Sequence, residues 1–310
     1  MYPKSWRYYR DVSIYRVLFV LLVVTAGYAL AHPVYWILVL AIWMIRSPVQ
    51  NAFYFAHPPR RFNWMPETKL DFREVTFPSR AGLTLFGRFA PGKNHAAILL
   101  LHRLGGTNAD MLFHAEILIN AGYGVFLIDL RAHGSSDGDT STFGLHEADD
   151  VAGAVDYLLS RADVNGQKIG ALGISLGAQA ALRGALKTDK LRALVLEGLG
   201  PSVLSDHGGR PKSLQGWVNY PSNWLYQRAY EFMIGGRDQG VLEVIRKVAP
   251  RPILFIASGG NDIYFSRLFC QAAGEPKELW ELSNGRHGAA FLQDSHGYTK
   301  RVVEFFDKAL

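Results

Sequence analysis

Hydrophobic and polar positions divide the chain into two unlike parts. Residues 17–45 form a run of 29 positions without a formally charged side chain, interrupted only by His32-Pro33. From residue 72 onward, short apolar runs rich in β-branched and aromatic residues alternate with longer stretches of helical period. The runs at 72–77 and 83–89 flank the turn Ser79-Arg80-Ala81-Gly82 and predict a hairpin. Those at 96–101, 124–130, 168–174, 193–197, 252–257 and 278–282 predict further strands. The spacing over 110–121, 145–160, 176–186 and 297–308 predicts helices. Strands apolar on both faces and separated by helices give an α/β fold, a mostly parallel central sheet flanked by helices. Chemistry in such sheets collects beyond the carboxyl ends of the strands.

A length of 310 residues exceeds the 200–250 or so that one α/β domain commonly needs. The pattern assigns 1–46 to an N-terminal membrane anchor, 47–70 to a linker, and 71–310 to the α/β domain, with 199–248 inserted as a small cap region. The linker assignment rests on Ser47-Pro48, His57-Pro58-Pro59-Arg60-Arg61 and Trp64-Met65-Pro66, which carry no sustained period. Hydrophobic residues at 49% against 19% charged exclude a disordered chain. Cys270 is the only cysteine, which excludes an internal disulfide and a thiolate metal cluster.

Charge location decides what the net +6 means. Up to Arg61 there are seven basic residues against Asp11 alone, and from there on 26 basic and 26 acidic residues cancel. The excess therefore flanks the apolar segment, where it suits anionic lipid headgroups, whereas a nucleic-acid footprint would need a basic face on the folded domain, which has no net basic excess. A continuous helix over 17–45 would span about 43 Å, more than the roughly 30 Å of a hydrocarbon core. It therefore fits as one tilted or kinked helix, or as a hairpin of 13–31 and 34–45 broken at Pro33. Trp6, Tyr8, Tyr9, Tyr15, Tyr35, Trp36 and Trp43 supply interfacial aromatics. A signal peptide ending near Ala29-Leu30-Ala31 and a buried soluble hairpin are the competing readings; Pro33 and the second apolar run speak against the first. A hairpin would leave both basic ends, and the domain, on the cytoplasmic side of the membrane.

At the end of the run 168–174 stands Gly173-Ile174-Ser175-Leu176-Gly177. A serine on a sharp strand-to-helix turn presents its hydroxyl, and glycines two positions away on either side remove side chains that would clash. The same pattern also describes an ordinary turn, so the rest of the chain must supply a base and an orienting acid. Asp262 in Ser258-Gly259-Gly260-Asn261-Asp262 and His287 in Ser283-Asn284-Gly285-Arg286-His287-Gly288 follow strands in the order serine, acid, histidine, and both are expected in loops. Glu197 is a rival acid and His296 a rival histidine. His95, His102, His133 and His146 have no metal spacing, Gly122-Tyr123-Gly124 lacks the third glycine of a dinucleotide fingerprint, and no cofactor is implied.

Over residues 72–310 these features resemble the α/β-hydrolase superfamily, in particular its bacterial esterase, dienelactone-hydrolase-like and serine-peptidase-like branch. The matching segments are Leu101-His102-Arg103-Leu104-Gly105-Gly106, Asp129-Leu130-Arg131-Ala132-His133-Gly134-Ser135-Ser136, the Ser175 turn, and the Asp262 and His287 loops. The resemblance implies Ser175 as nucleophile, Asp262 as orienting acid, His287 as general base, and the backbone N–H groups of Leu104 and Leu176 as oxyanion donors. It also implies that Asp129, Arg131 and His133 are structural. Arg103 departs from the pattern, which has glycine after the histidine; this cation either turns to solvent or binds an acidic group of the substrate. Trp217 and Trp224 of the aromatic cap are candidate substrate contacts, and a cap of this kind beside a membrane anchor suits a small-molecule or lipid-like ester. The expected activity is that of a serine hydrolase acting on an ester, thioester or amide, at a bacterial inner membrane. An acyltransferase or peptidase with the same residues, or a non-catalytic membrane scaffold, are the alternatives.

Overall fold

The computed structural model describes residues 18–28, 32–61, 64–207, 211 and 213–310. The chain divides into two compact units, Met1–Gln50 and Asn51–Leu310.

The first unit holds helix α1 (Leu18–Tyr28) and most of α2 (Pro33–Ala56). Pro33 opens α2, as expected of a residue whose ring presets a helical φ and whose missing N–H is not needed in the first turn. Most apolar side chains of α1 and of α2 as far as Ile45, Trp36 and Trp43 among them, are exposed. By length and composition α2 is able to cross a membrane. Trp6, Tyr8, Tyr9 and Tyr15, and the ends of the expected first arm, lie outside the described residues.

One expectation changes at the junction. The segment 47–56, expected to be irregular, is helical, with Pro48 inside α2. Local pattern missed it because the last turns are stabilised by distant partners: Ala52 and Ala56 are fully buried against Tyr230 and Ile234. The chain is then fastened by Arg60, whose guanidinium donates to the carbonyls of Gly134, Ser136 and Gly138.

The second unit is built on an eight-stranded sheet. Its strands are β1 (Arg73–Pro78), β2 (Thr84–Ala90), β3 (Ala97–Leu101), β4 (Gly124–Ile128), β5 (Ile169–Ile174), β6 (Leu191–Glu197), β7 (Ile253–Ser258) and β8 (Lys277–Leu282). Their order is β1-β2-β4-β3-β5-β6-β7-β8. The β1–β2 hairpin is antiparallel and adds antiparallel to β4; every later pairing is parallel. All eight strands match the apolar runs to within a residue or two.

Side-chain alternation sends each strand's residues into two cores. In β3, Leu99 and Leu101 face one core while Ile98 and Leu100 face the other. The first is closed by α4 (Glu147–Leu159), α5 (Leu176–Lys187) and α8 (Gly260–Ala272), through Val151, Val155, Leu182 and Phe269. The second is closed by α3 (Leu112–Asn120) and α10 (Ser295–Ala309), through Leu118, Tyr298, Val302 and Phe306. Each of these large side chains, fully buried, contributes about 1.5–3 kcal/mol relative to exposure. The sheet is therefore covered by packed helices on both faces.

Between β6 and β7 the inserted segment contains α6 (Leu214–Met233) and α7 (Val241–Val244). Two buried carboxylates fasten its ends, one to each other and one to α5. Asp206 accepts from the N–H groups of Ser202, Val203, Val241 and Leu242, and Asp238 takes both oxygens to Arg183 of α5 at 2.9 Å. A four-residue helix, α9 (Ala290–Gln293), precedes α10.

Candidate active site

Ser175 lies between the last residue of β5 and the first of α5, with φ 55° and ψ −110°. A side chain other than glycine adopts this backbone only when the surroundings enforce it. Here enforcement comes from two glycines. A Cβ on Gly177 would lie 2.1 Å from the Leu101 carbonyl oxygen, and one on Gly173 would lie 2.2 Å from the Gly177 carbonyl oxygen. The chain thus turns tightly enough to lift the serine hydroxyl above the sheet.

Asp262 and His287 reach the same place from the next strand ends. His287 Nδ1 lies 2.7 Å from Asp262 Oδ1, and His287 Nε2 lies 2.9 Å from Ser175 Oγ. With the carboxylate accepting from Nδ1–H, the neutral ring presents Nε2 to the serine hydroxyl, which fixes the useful tautomer. The hydrogen bond to Asp262 raises the His287 pKa above the ordinary imidazole value; burial opposes the shift, Glu197 adds to it, and Arg103 works against it. Asp262 is not in a loop. After Gly259, at φ +95°, the chain enters α8 directly and Asp262 occupies its first turn, where the helix's N–H groups favour an acidic side chain. The helical period over 263–272 went unread because the flanking glycines look like loop.

Two buried residues hold the His287 segment. Ser258 Oγ donates to the Arg286 carbonyl at 2.6 Å. Glu197, fully buried, accepts from the Ala290 N–H and from Tyr298 Oη, each at 2.9 Å. Its oxygens are therefore committed to the chain beyond His287 and not to the ring itself, so among the two rival acids Asp262 is the one against the imidazole. Burial raises the Glu197 pKa and the two donated hydrogen bonds oppose that rise. His296 stands exposed in the first turn of α10, away from Ser175.

The loop after β3 is held by two histidines that burial keeps neutral, each with its pKa pushed down to about 4. His102 accepts from the Leu130 N–H at 3.1 Å and donates from Nδ1 to the Arg103 carbonyl at 2.8 Å. His133 accepts from the Gly105 N–H at 3.0 Å and donates to the Arg131 carbonyl at 2.8 Å. Leu104 sits between these two fixed points. Asp129 takes the N–H groups of Asn108 and Ser135 in the loops, and Arg131 forks onto the buried Asp150 carboxylate of α4. On the other side, Leu176 opens α5 and its N–H has no acceptor within the helix.

A cavity of about 540 Å³ opens over Ser175 and His287, lined by Tyr54, Phe55, Arg103, Leu104, Phe143, Gln179, Gly198, Gly200, Pro201 and Tyr226. Trp217 and Trp224 do not line it. They lie seven residues apart on α6 and are exposed, whereas Tyr226 and Tyr230 project from the opposite face of that helix, inward. Tyr54, Phe55, Phe143 and Gln179 were missed by sequence reasoning, and Tyr226, one of the cap aromatics, was not singled out as a contact. Phe143 carried a faint signal in Phe143-Gly144-Leu145: both it and Gly144 have positive φ, 47° and 93°, and the carboxylate of buried Glu147 ties this loop through Ser141, Thr142 and Gly144.

The model of the alpha/beta hydrolase family matches residues 98–300, which include every side chain of the Ser175–His287–Asp262 chain. The chain belongs to this family. The hydrolase is 30% identical over 243 residues to YqkD of Bacillus subtilis, spanning 74% of this chain and 77% of that one. It is 26% identical over 288 residues to YfhR of Salmonella typhimurium, spanning 89% and 94%. The solved structure of the Pyrococcus furiosus esterase Pf2001 has the same fold, with a TM-score of 0.65 at 23% identity over 82% of this hydrolase and 99% of that chain.

Proposed function

We propose that this hydrolase is a membrane-associated serine enzyme that cleaves a carboxylic ester through an acyl-enzyme on Ser175. The observation that carries the reading is the continuous chain from Ser175 Oγ through His287 to Asp262, at 2.9 and 2.7 Å, on a backbone turn whose strain is enforced by Gly173 and Gly177. Ser175 Oγ attacks the ester carbonyl as His287 Nε2 accepts its proton, and Asp262 stabilises the imidazolium that forms. The oxyanion is held by the N–H groups of Leu104 and Leu176. Collapse breaks the ester C–O bond, and the leaving alcohol takes the proton from His287. Water, giving its proton to the same ring, then hydrolyses the acyl-enzyme and releases the acid. The aromatic lining of the cavity suits an apolar acyl or alkyl group, and α2 supplies the membrane attachment. The esterase named for the Pyrococcus furiosus structure is consistent with ester chemistry on this fold.

A fluorophosphonate probe on the full-length protein tests the reading. Wild type should be labelled at Ser175 and should turn over a short-chain p-nitrophenyl ester, and Ser175→Ala should lose the label and about 10⁴-fold or more in kcat/KM. An unlabelled wild-type protein would point to a scaffold without turnover.

A further inference from the structure

Beside the catalytic cavity lies a second one of about 180 Å³. Ile174 and Gly288, the chain neighbours of Ser175 and His287, form part of its wall, and Met111, Phe113 and Phe291 make the rest largely apolar. Two polar side chains of that lining, exposed Arg103 and buried His114, have no hydrogen-bond partner among the described residues. Arg103 lines this cavity and the catalytic one alike, and among the described residues its guanidinium makes no hydrogen bond or ion pair. His114 is 6% exposed, and neither of its ring nitrogens is hydrogen-bonded among the described residues. Burial holds it neutral, with its pKa pushed down to about 4, so it retains one N–H donor. The other charged group on the wall, Asp110, is already engaged by Arg61 at 3.3 Å and by the Thr107 N–H at 3.2 Å. The charge left over at the rim is therefore positive, and it stands between the two cavities.

We infer that the second cavity is a specificity subsite for a carboxylate carried by the substrate, received by the Arg103 guanidinium a few bonds from the ester that Ser175 attacks. A guanidinium is planar, permanently charged, and matched to a carboxylate by two parallel hydrogen bonds. The cavity has room for a short chain of a few carbons and no more. The substrate class is the monoester of a short dicarboxylic acid, or an equivalent ester with one free carboxylate. This rests on the hydrolase reading of Ser175, and it names which ester that site prefers.

The experiment compares the monoethyl and diethyl esters of glutaric and adipic acids on the full-length protein. Wild type should favour the monoester, and Arg103→Gln should lower the ratio of kcat/KM for monoester over diester by about 10- to 100-fold. Arg103→Lys, which keeps the charge and loses the fork, should fall between the two. A ratio unchanged by Arg103→Gln overturns the inference, whatever happens to the two rates together. Binding of the monoester to Ser175→Ala, followed by calorimetry, reads the subsite without turnover: it should weaken when Arg103→Gln is added, and equal binding overturns the inference. Failure of the hydrolase reading is distinguishable, because it leaves wild-type Ser175 unlabelled by the fluorophosphonate while this binding comparison still gives its answer.

Discussion

Ser175 is held at φ 55° and ψ −110°, a conformation that costs an L-residue on the order of 1–3 kcal/mol. That strain exposes Oγ, so stability and chemistry oppose one another at this one position. Ser175→Gly should therefore abolish turnover while raising stability by about 1 kcal/mol, the relief of strain exceeding the extra entropy glycine brings to the unfolded chain. Urea unfolding of the variant beside Ser175→Ala measures it, and a less stable glycine variant would refute the strain. In the proposed mechanism His287 sets the pH response. Only the neutral ring accepts the serine proton, and the hydrogen bond to Asp262 raises its pKa above 6.5, so activity should be lost as pH falls through a value above 6.5. In Asp262→Asn that acid limb should move downward and the plateau of kcat/KM should drop by about 10⁴-fold. An acid limb that stays put in the variant contradicts the assigned partner.

At the scale of elements, the site depends on backbone approaching backbone. Helix α5 comes so close beneath β3 that a methyl group on Gly177 would lie 2.1 Å from the Leu101 carbonyl oxygen. Neither atom belongs to a flexible side chain. Gly177→Ala should cost about 3 kcal/mol or leave the protein unfolded, to be read by thermal or urea denaturation. The loop that carries Phe143 into the cavity is tied by the carboxylate of Glu147, with four donors converging on it, and at Ser141 by the Ala56 carbonyl and the Tyr230 hydroxyl. Glu147→Ala leaves these buried donors without an acceptor and should lower stability by about 3 kcal/mol, with a further loss of activity as Phe143 is released. Unchanged unfolding of that variant would show that the loop is held by something else.

For the whole molecule, the decisive boundary falls inside α2. Its final turns belong to the unit Asn51–Leu310, and Tyr54 and Phe55 there line the cavity over Ser175 and His287. The proposed membrane attachment and the proposed substrate binding should thus be separable by where the chain is cut. The full-length protein should sediment with membranes and be released by detergent but not by salt. A chain starting at Asn51 should stay in the soluble fraction and remain active. Removal through Arg60 also deletes Tyr54, Phe55 and the Arg60 clamp, and should lower kcat/KM by on the order of 10²-fold, the scale on which loss of substrate positioning acts. Equal activity of the two truncated forms would show that the end of α2 plays no part in the site.

The sequence alone determined the eight strands, the order serine–acid–histidine, and the strand ends where these groups stand. Each of these is written locally, in apolar runs of strand length and in glycines placed at turns. Tertiary structure decided the rest. Residues 47–56 are helical only because Ala52 and Ala56 pack against Tyr230 and Ile234, about 180 residues away in the chain. Trp217 and Trp224 turn outward because α6 has two aromatic faces, and only packing chooses which one is buried. Arg103 stood out in the sequence as an odd residue. That it lines two cavities and makes no hydrogen bond or ion pair among the described residues, while Asp110 is engaged by Arg61, depends on contacts that no spacing along the chain announces.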